Sequence, residues 1–298
     1  MIDRRSFLAA SAAAFAAGCT KSVSRPTVPD PARLVAPDRF EAIRASLGPG
    51  ARIGVAAIDT GNEAQLVHDP LGRYAMASTF KLPLAAAVLD AADEGRLRLS
   101  EEVAFAPGGP LPNSPVVAEH LERGRLPIET LAAAIVEVSD NSAANLLLRR
   151  IGGPEAFTRF VRAHGDPVTR LDRYETELNA NLPGDPRDTT SPAAMARLVR
   201  RLVLGGGLDG GAQQRLRRWL RQSVPGADRL RAGLPADWRF GHKTGTGANG
   251  AVNDVGIAWP PGRAPIVIAS FQDGGTAEMP ARAEAHAAVA RLVAESFA

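Results

Sequence analysis

Ser78-Thr79-Phe80-Lys81-Leu82-Pro83-Leu84-Ala85-Ala86-Ala87-Val88-Leu89 joins a polar pair to an unbroken apolar run. A run apolar on every side, rich in good helix formers, predicts a helix over 79–92 that is buried all round. Pro83 falls in its first turn, where a missing amide proton costs little. Ser78 and Lys81 are three apart, so on a helix their hydroxyl and amine share one face. At a helix start the hydroxyl also lies near unpaired backbone amides that can stabilise negative charge on a reacting group. Alone, Ser-x-x-Lys is equally the pattern of an N-cap followed by a solvated lysine. Lysine is scarce here, however: only Lys21, Lys81 and Lys243 occur among 35 basic residues, the rest being arginine. In so arginine-biased a chain, a retained lysine points to a site where a compact amine able to lose its proton is needed.

Outward from this helix, strands are predicted at both ends of the chain and helices between them. Residues 52–58 and 65–68 flank Thr60-Gly61-Asn62, a hairpin signal, and strand character returns at 239–246, 252–259 and 265–272. Helical spacing covers 38–47, 115–122, 127–138, 142–150, 154–164, 192–204, 211–222 and 279–297. The expected class is α+β: a five-stranded antiparallel sheet assembled from both termini and flanked by helices. Segments 38–77 and 228–298 then form an α/β lobe, and 78–227 an inserted all-helical lobe, with a cleft between the two. Residues 166–189 carry Pro167, Pro183 and Pro186 with mixed charge; so long an irregular segment in a compact domain is commonly functional.

Composition narrows the classes further. A chain of 298 residues, 45% hydrophobic, with net charge +3 and no long basic run, is globular and does not expect nucleic acid as a partner. Residues 1–19 read as an export signal: Arg4-Arg5-Ser6-Phe7-Leu8, an Ala-rich stretch too short to span a bilayer, then Ala16-Ala17-Gly18-Cys19. The arginine pair resembles a twin-arginine signal, and small residues before the single cysteine resemble a lipoprotein processing site. The expectation is a periplasmic protein anchored to the membrane through a lipid on Cys19; an ordinary signal cleaved elsewhere is the alternative. Residues 20–37, with Pro26, Pro29, Pro31 and Pro37, suit an extended tether. His68, His120, His164, His242 and His286 show no metal-ligand spacing, so neither metal nor cofactor is expected.

Three further stretches carry chemistry. Ser139-Asp140-Asn141 falls where two helices meet, Lys243-Thr244-Gly245-Thr246 lies in a strand at the lobe boundary, and Arg170-Leu-Asp-Arg-Tyr-Glu175-Thr-Glu-Leu-Asn179 sits in the long loop. Taken singly they also read as a helix cap, an edge strand with a solubilising lysine, and a solvated loop. Glycine at 245 would let a substrate approach closely. Together, Ser78-x-x-Lys81, Ser139-Asp140-Asn141 and Lys243-Thr244-Gly245 resemble the three motifs of serine β-lactamases and penicillin-binding proteins. The Glu175 segment narrows the resemblance to class A serine β-lactamases, over about residues 38–298. Residues 184–190 are similar to the end of that family's Ω-loop, here 170–188, and Arg173 with Asp188 to the ion pair that closes it.

The resemblance implies a monomeric hydrolase of β-lactam antibiotics working through an acyl-enzyme on Ser78. It implies an oxyanion hole from the amides of Ser78 and Thr246, with Lys81 and Glu175 as rival acylation bases. Ser139 would relay a proton, and Glu175 with Asn179 would activate the deacylating water. Asn141 would hold the substrate side-chain amide, and Lys243, Thr244 and Thr246 its carboxylate. Some positions depart from the family pattern. Ala77 replaces a frequent cysteine, Asn113 a frequent aromatic residue, and Val252-Asn253-Asp254 lacks an arginine that many members use for the carboxylate. Arg229 matches an alternative position, used by some members that hydrolyse carbapenems; Arg282 is the second candidate. The rivals are a D,D-peptidase or transpeptidase and a penicillin-sensing domain that stays acylated, neither of which needs Glu175.

Overall fold

The computed structural model describes residues 33–34, 37–105 and 108–297. The export segment with Cys19, and the tether up to residue 32, lie outside the described residues. The fold is α+β. Its main sheet contains β1 (Arg33–Leu34), β2 (Arg52–Asp59) and β3 (Gln65–His68) from one end of the chain. Small pairs follow: β4 (Tyr74–Ala75) with β7 (Thr189–Thr190), and β5 (Glu102–Ala104) with β6 (Arg125–Pro127). β8 (Arg239–Thr246), β9 (Val252–Trp259) and β10 (Ile266–Asp273) complete the main sheet in the order β1-β3-β2-β10-β9-β8.

Five of these strands pair antiparallel, as expected. The sixth differs: Arg33–Leu34, placed in the tether by sequence, pairs parallel with Gln65–Leu66. Two residues carry too little periodicity to be read as a strand; β1 covers the edge that β3 would otherwise present.

The helices are α1 (Pro37–Ser46), α2 (Lys81–Asp93), α3 (Pro115–Glu119), α4 (Ile128–Glu137), α5 (Asn141–Ile151) and α6 (Gly153–Ala163). After the long loop come α7 (Pro192–Val203), α8 (Gly210–Arg221), the single turn α9 (Leu230–Gly233) and α10 (Met279–Ser296). Alternation along the central strands sorts their side chains between two layers. Ile53, Val55 and Ala57 of β2 and Ile268 of β10 pack with Phe40, Leu230, Val289 and Val293 from α1, α9 and α10. Ala56, Ile58, Val267, Ala269 and Phe271 face the other way, into one continuous core with α2, α4, α5 and α7. The sheet is thus buried on both faces, and the central helices share a core with it.

Within that core α2 is surrounded on every side: Leu82, Leu84, Ala85, Ala86 and Val88 are fully buried. It starts at Lys81 rather than at 79; Ala77–Phe80 form a tighter 3₁₀ turn that feeds into it. Ser78 therefore sits on the entry turn, with Ala77 before it at φ +42°.

Candidate active site

The Ser78 turn is fixed from two sides. From β9, the fully buried Asn253 donates its amide to Ala75 O at 2.9 Å and Met76 O at 3.1 Å. From β8, Gly245 lies so close that a Cβ there would stand 2.7 Å from Met76 O and 3.2 Å from Ser78 N. The glycine is required by the approach of the protein's own nucleophile turn, a nearer constraint than the substrate approach expected from sequence. Ser78 Oγ accepts from Lys81 Nζ at 2.9 Å.

Lys81 is fully buried, and its Nζ meets more oxygens than its three protons can serve. Besides Ser78 Oγ it lies 2.9 Å from Ser139 O, 3.3 Å from Ser139 Oγ, 2.5 Å from Asn141 Oδ1 and 2.9 Å from Glu175 Oε1. Burial pushes this amine below the ordinary lysine range, against the opposing pull of the Glu175 carboxylate. An amine so placed can exchange a proton with the serine hydroxyl.

Ser139, Asp140 and Asn141 lie where α4 ends and α5 begins. The cap reading holds for one of them. Asp140 Oδ1 accepts Ala143 N at 2.8 Å, and Oδ2 accepts Val116 N and Val117 N, both at 3.0 Å, so one carboxylate ties two helix starts together. The flanking side chains are thereby turned toward Lys81, with Ser139 held at φ +61°. Asn141 also donates to Pro112 O at 2.8 Å, and Asn113 donates to Ser139 O at 3.1 Å.

Lys243 approaches from β8, fully buried, and donates to Ser139 Oγ at 3.0 Å and Thr244 O at 2.8 Å. Burial drives its amine well below the usual lysine range, and the neighbouring charge of Lys81 adds to this. Thr246 is exposed at the strand end, and its Oγ1 accepts from Arg229 Nη2 at 2.8 Å. The other Arg229 terminal nitrogen bonds Gly245 O at 3.1 Å and Asn253 O at 2.8 Å. Arg282 is elsewhere: its guanidinium binds the carbonyls of Gly250, Gly274, Gly275 and Ala277, tying loops together.

The long loop brings Glu175 to the same cluster through polar bonds and through Leu171 and Leu178, which are buried in the main core. Asn145 of α5 pairs with the Glu175 backbone in both directions, at 2.8 and 2.9 Å. Glu175 Oε2 accepts from Asn179 Nδ2 at 2.6 Å, Oε1 lies 2.9 Å from Lys81 Nζ, and the buried Asn179 Oδ1 has no hydrogen-bond donor among the described residues. Arg173 Nε meets Asp188 Oδ2 at 2.6 Å across the loop neck. Sequence reasoning missed Asn145 and Asn253. Each was visible as a polar residue in an apolar stretch, Asn145 one turn beyond Asn141 and Asn253 inside a buried strand.

A family model described as "Beta-lactamase enzyme family" matches residues 38–297. "Beta-lactamase AST-1" of Nocardia asteroides is 43% identical over 273 residues, 90% of this chain and 87% of that protein. "Carbapenem-hydrolyzing beta-lactamase KPC" of Klebsiella oxytoca is 41% identical over 249 residues, 83% of this chain and 85% of the relative. Among solved structures, an "Ancestral (GNCA) Beta-lactamase class A" superposes with a TM-score of 0.85 at 45% identity, covering 87% of this chain and 99% of the other. With agreement of this extent along the folded body, the chain belongs to the class A serine β-lactamases.

Proposed function

We propose that the protein hydrolyses the amide of penicillin- and cephalosporin-type β-lactams in two steps through an ester on Ser78. The single observation that carries this reading is the meeting of the Glu175 carboxylate with Lys81, 2.9 Å away, in the cluster that holds Ser78. In the first step Ser78 Oγ attacks the lactam carbonyl while its proton passes to Lys81 or, through it, to Glu175. The amides of Ser78 and Thr246 receive the developing oxyanion. Ser139, bonded to both lysines, hands a proton to the departing lactam nitrogen, which opens the ring.

In the second step Glu175 and Asn179 orient and deprotonate a water that attacks the ester, and Ser78 is regenerated. The Glu175 carboxylate and the buried Asn179 Oδ1 supply the acceptors for it. Asn141 holds the substrate's side-chain amide. Lys243, Thr244, Thr246 and Arg229 hold its carboxylate, with Gly245 keeping the strand against the serine turn. Arg229 fills this role rather than Arg282, because it reaches Thr246 Oγ1 of the Lys243 strand, whereas Arg282 is bound to the carbonyls of other loops.

The test is turnover of a chromogenic cephalosporin followed by intact-mass spectrometry. The parent chain is expected to turn over, and Glu175→Ala to accumulate one acyl group on Ser78. A parent chain that itself stays stoichiometrically acylated would make it a sensor or transpeptidase. A kinetic panel of penicillins, cephalosporins and a carbapenem defines the substrate range.

For the cellular setting, we infer export and lipidation at Cys19 from Arg4-Arg5 and the small residues before the cysteine. Loss of the protein from the membrane fraction in Cys19→Ala tests this. Action as a monomer is tested by light scattering of the folded body.

A further inference from the structure

Behind the edge strand lies a second group of ionisable residues that neither chemical step employs. Side chains alternate along β8: Gly245 faces the Ser78 turn and Lys243 reaches Ser139, while on the alternate positions His242 and Thr244 lie against Gly226, and Thr246, at the exposed strand end, meets Arg229. Asp254 of β9, the cross-strand partner of Thr244, lies on that far side and is fully buried. A carboxylate out of contact with water is costly unless its charge is used.

Both of its oxygens are engaged. Oδ1 lies 2.8 Å from His242 Nδ1, and Oδ2 accepts Leu230 N at 3.1 Å. His242 is the residue before Lys243, and Leu230 the residue after Arg229. One buried carboxylate therefore grips the chain beside each of the two cations assigned to the substrate carboxylate. The surrounding charges come from every neighbouring segment: His242 and Lys243 from β8, Asp228 and Arg229 from the turn before α9, and His286 from α10. Burial pushes His286 down to about 4, so at neutral pH it brings no charge to oppose Asp254.

We propose that Asp254, braced by His242, is a positioning residue for substrate binding: a fixed negative charge behind the sheet that holds Arg229 and Lys243 as oriented cations facing the substrate carboxylate. Electrostatics agrees with the geometry. Burial pulls both basic groups down, and Asp254 is the foremost influence opposing burial at each of them. The role is distinct from that of Glu175, which faces Lys81 on the other side of the sheet. It concerns affinity for anionic substrates and leaves the acyl-transfer steps to the Ser78 cluster.

The inference rests on the reading of Lys243 and Arg229 as the carboxylate site, and the two fail differently. Asp254→Asn keeps the size and an acceptor for Leu230 while removing the charge. For a carboxylate-bearing cephalosporin, KM is expected to rise about tenfold with kcat within about threefold. The alkaline fall of kcat/KM should move to lower pH, because Lys243, which Asp254 supports against burial and the charges of Lys81 and Arg229, then loses its proton earlier. The methyl ester of the same cephalosporin should show the same kcat/KM with variant and parent. If Arg229→Ala leaves KM for the acid unchanged, the carboxylate reading is lost. If Arg229→Ala raises KM and Asp254→Asn does not, only this inference is overturned. It is overturned too if Asp254→Asn slows acid and ester alike, the mark of a purely structural residue. Should Asp254→Asn fail to fold, His242→Leu removes the brace and should raise KM about threefold, with His242→Gln restoring it; a wild-type KM in His242→Leu refutes the proposal.

Discussion

The two halves of the catalytic cluster are built in opposite ways. Ser78, Lys81 and Lys243 ride on packed elements: a 3₁₀ turn leading into a helix buried on all sides, and a strand pressed against that turn. Glu175 and Asn179 ride on a long loop that is anchored by the buried Leu171 and Leu178 and otherwise held by hydrogen bonds and ion pairs: Asn145, the Arg173–Asp188 pair and the backbone contact of Ala248 N with Asn179 O at 2.9 Å. Packing dominates the placement of the half assigned to forming the acyl-enzyme, whereas the half assigned to destroying it adds directed polar bonds to two buried leucines, Leu171 and Leu178. A packed element resists small displacement, because it can move only with its core. A loop with two apolar anchors and otherwise polar ties can shift between those anchors when one of its bonds is lost. Acylation and deacylation should therefore be separable by mutation.

The largest effect is expected on the packed side. Ser78→Ala should lower turnover on the order of 10⁴-fold or more while leaving the fold unchanged, since Ser78 is only half-buried. Mass spectrometry should find no covalent adduct in this variant at any time; an adduct elsewhere would move the nucleophile. Next comes Gly245→Ala. Its Cβ would meet backbone atoms, Met76 O at 2.7 Å and Thr79 N at 3.1 Å, which cannot swing away as a side chain could. The strand and the serine turn must part, and the rate of acylation should fall about 100-fold. Stopped-flow acylation with a slow substrate measures it, and an unchanged acylation rate would break the account of the packed half.

Asp188→Asn probes the loop. Asp188 is fully buried, accepts the amides of Asp172 and Arg173 at 2.7 and 3.0 Å, and pairs with the Arg173 guanidinium. An asparagine would aim its NH₂ at Arg173 or leave an amide unserved. Because Arg173 retains some solvent contact, the loss of stability should be about 2 kcal/mol. Deacylation should slow about tenfold or more, with acylation within about threefold of the parent, so that an adduct on Ser78 becomes visible at steady state. Equal slowing of both steps would refute the division drawn between the two halves.

The same division explains what could be read from the sequence. Elements whose side chains repeat with a clear period were legible: the apolar run after Lys81 and the strands around Ile53–Ile58 and Ile266–Phe271. Illegible were the pieces that exist only through a partner. Arg33–Leu34 is a strand because β3 lies beside it, and Tyr74–Ala75 because Thr189–Thr190 crosses it. The 3₁₀ turn at Ala77–Phe80 depends on Asn253 and Gly245, more than 160 residues away in the chain. In the site, the motif residues announced themselves by type and spacing. Their supports did not, because a buried asparagine such as Asn145 differs from a surface one only in what the fold brings to it.

The smallest effect on activity, and the sharpest test of the sheet against the loop, comes from acid. His286 is fully buried between α10 and the sheet, with its ring nitrogens 2.9 Å from Ser270 Oγ and 3.1 Å from Val252 O, and burial lowers its pKa from 6.5 to about 4. Below about pH 6.5 the unfolded chain takes up a proton that the folded chain refuses. Stability should therefore be fully present above that pH and decline as the pH falls toward 4, by at most about 3 kcal/mol. On the loop, the hydrogen-bonded Arg187 guanidinium holds Asp185 down at about 2, so that carboxylate stays charged throughout the same window. Mild acid should thus loosen the sheet side before it discharges the loop. Urea midpoints for the parent and His286→Gln, compared at pH 7 and 4.5, measure this through the slope with pH rather than the absolute stability. The variant should lose most of the pH dependence and keep its turnover at pH 7; an unchanged slope would place the acid-sensitive group outside the sheet.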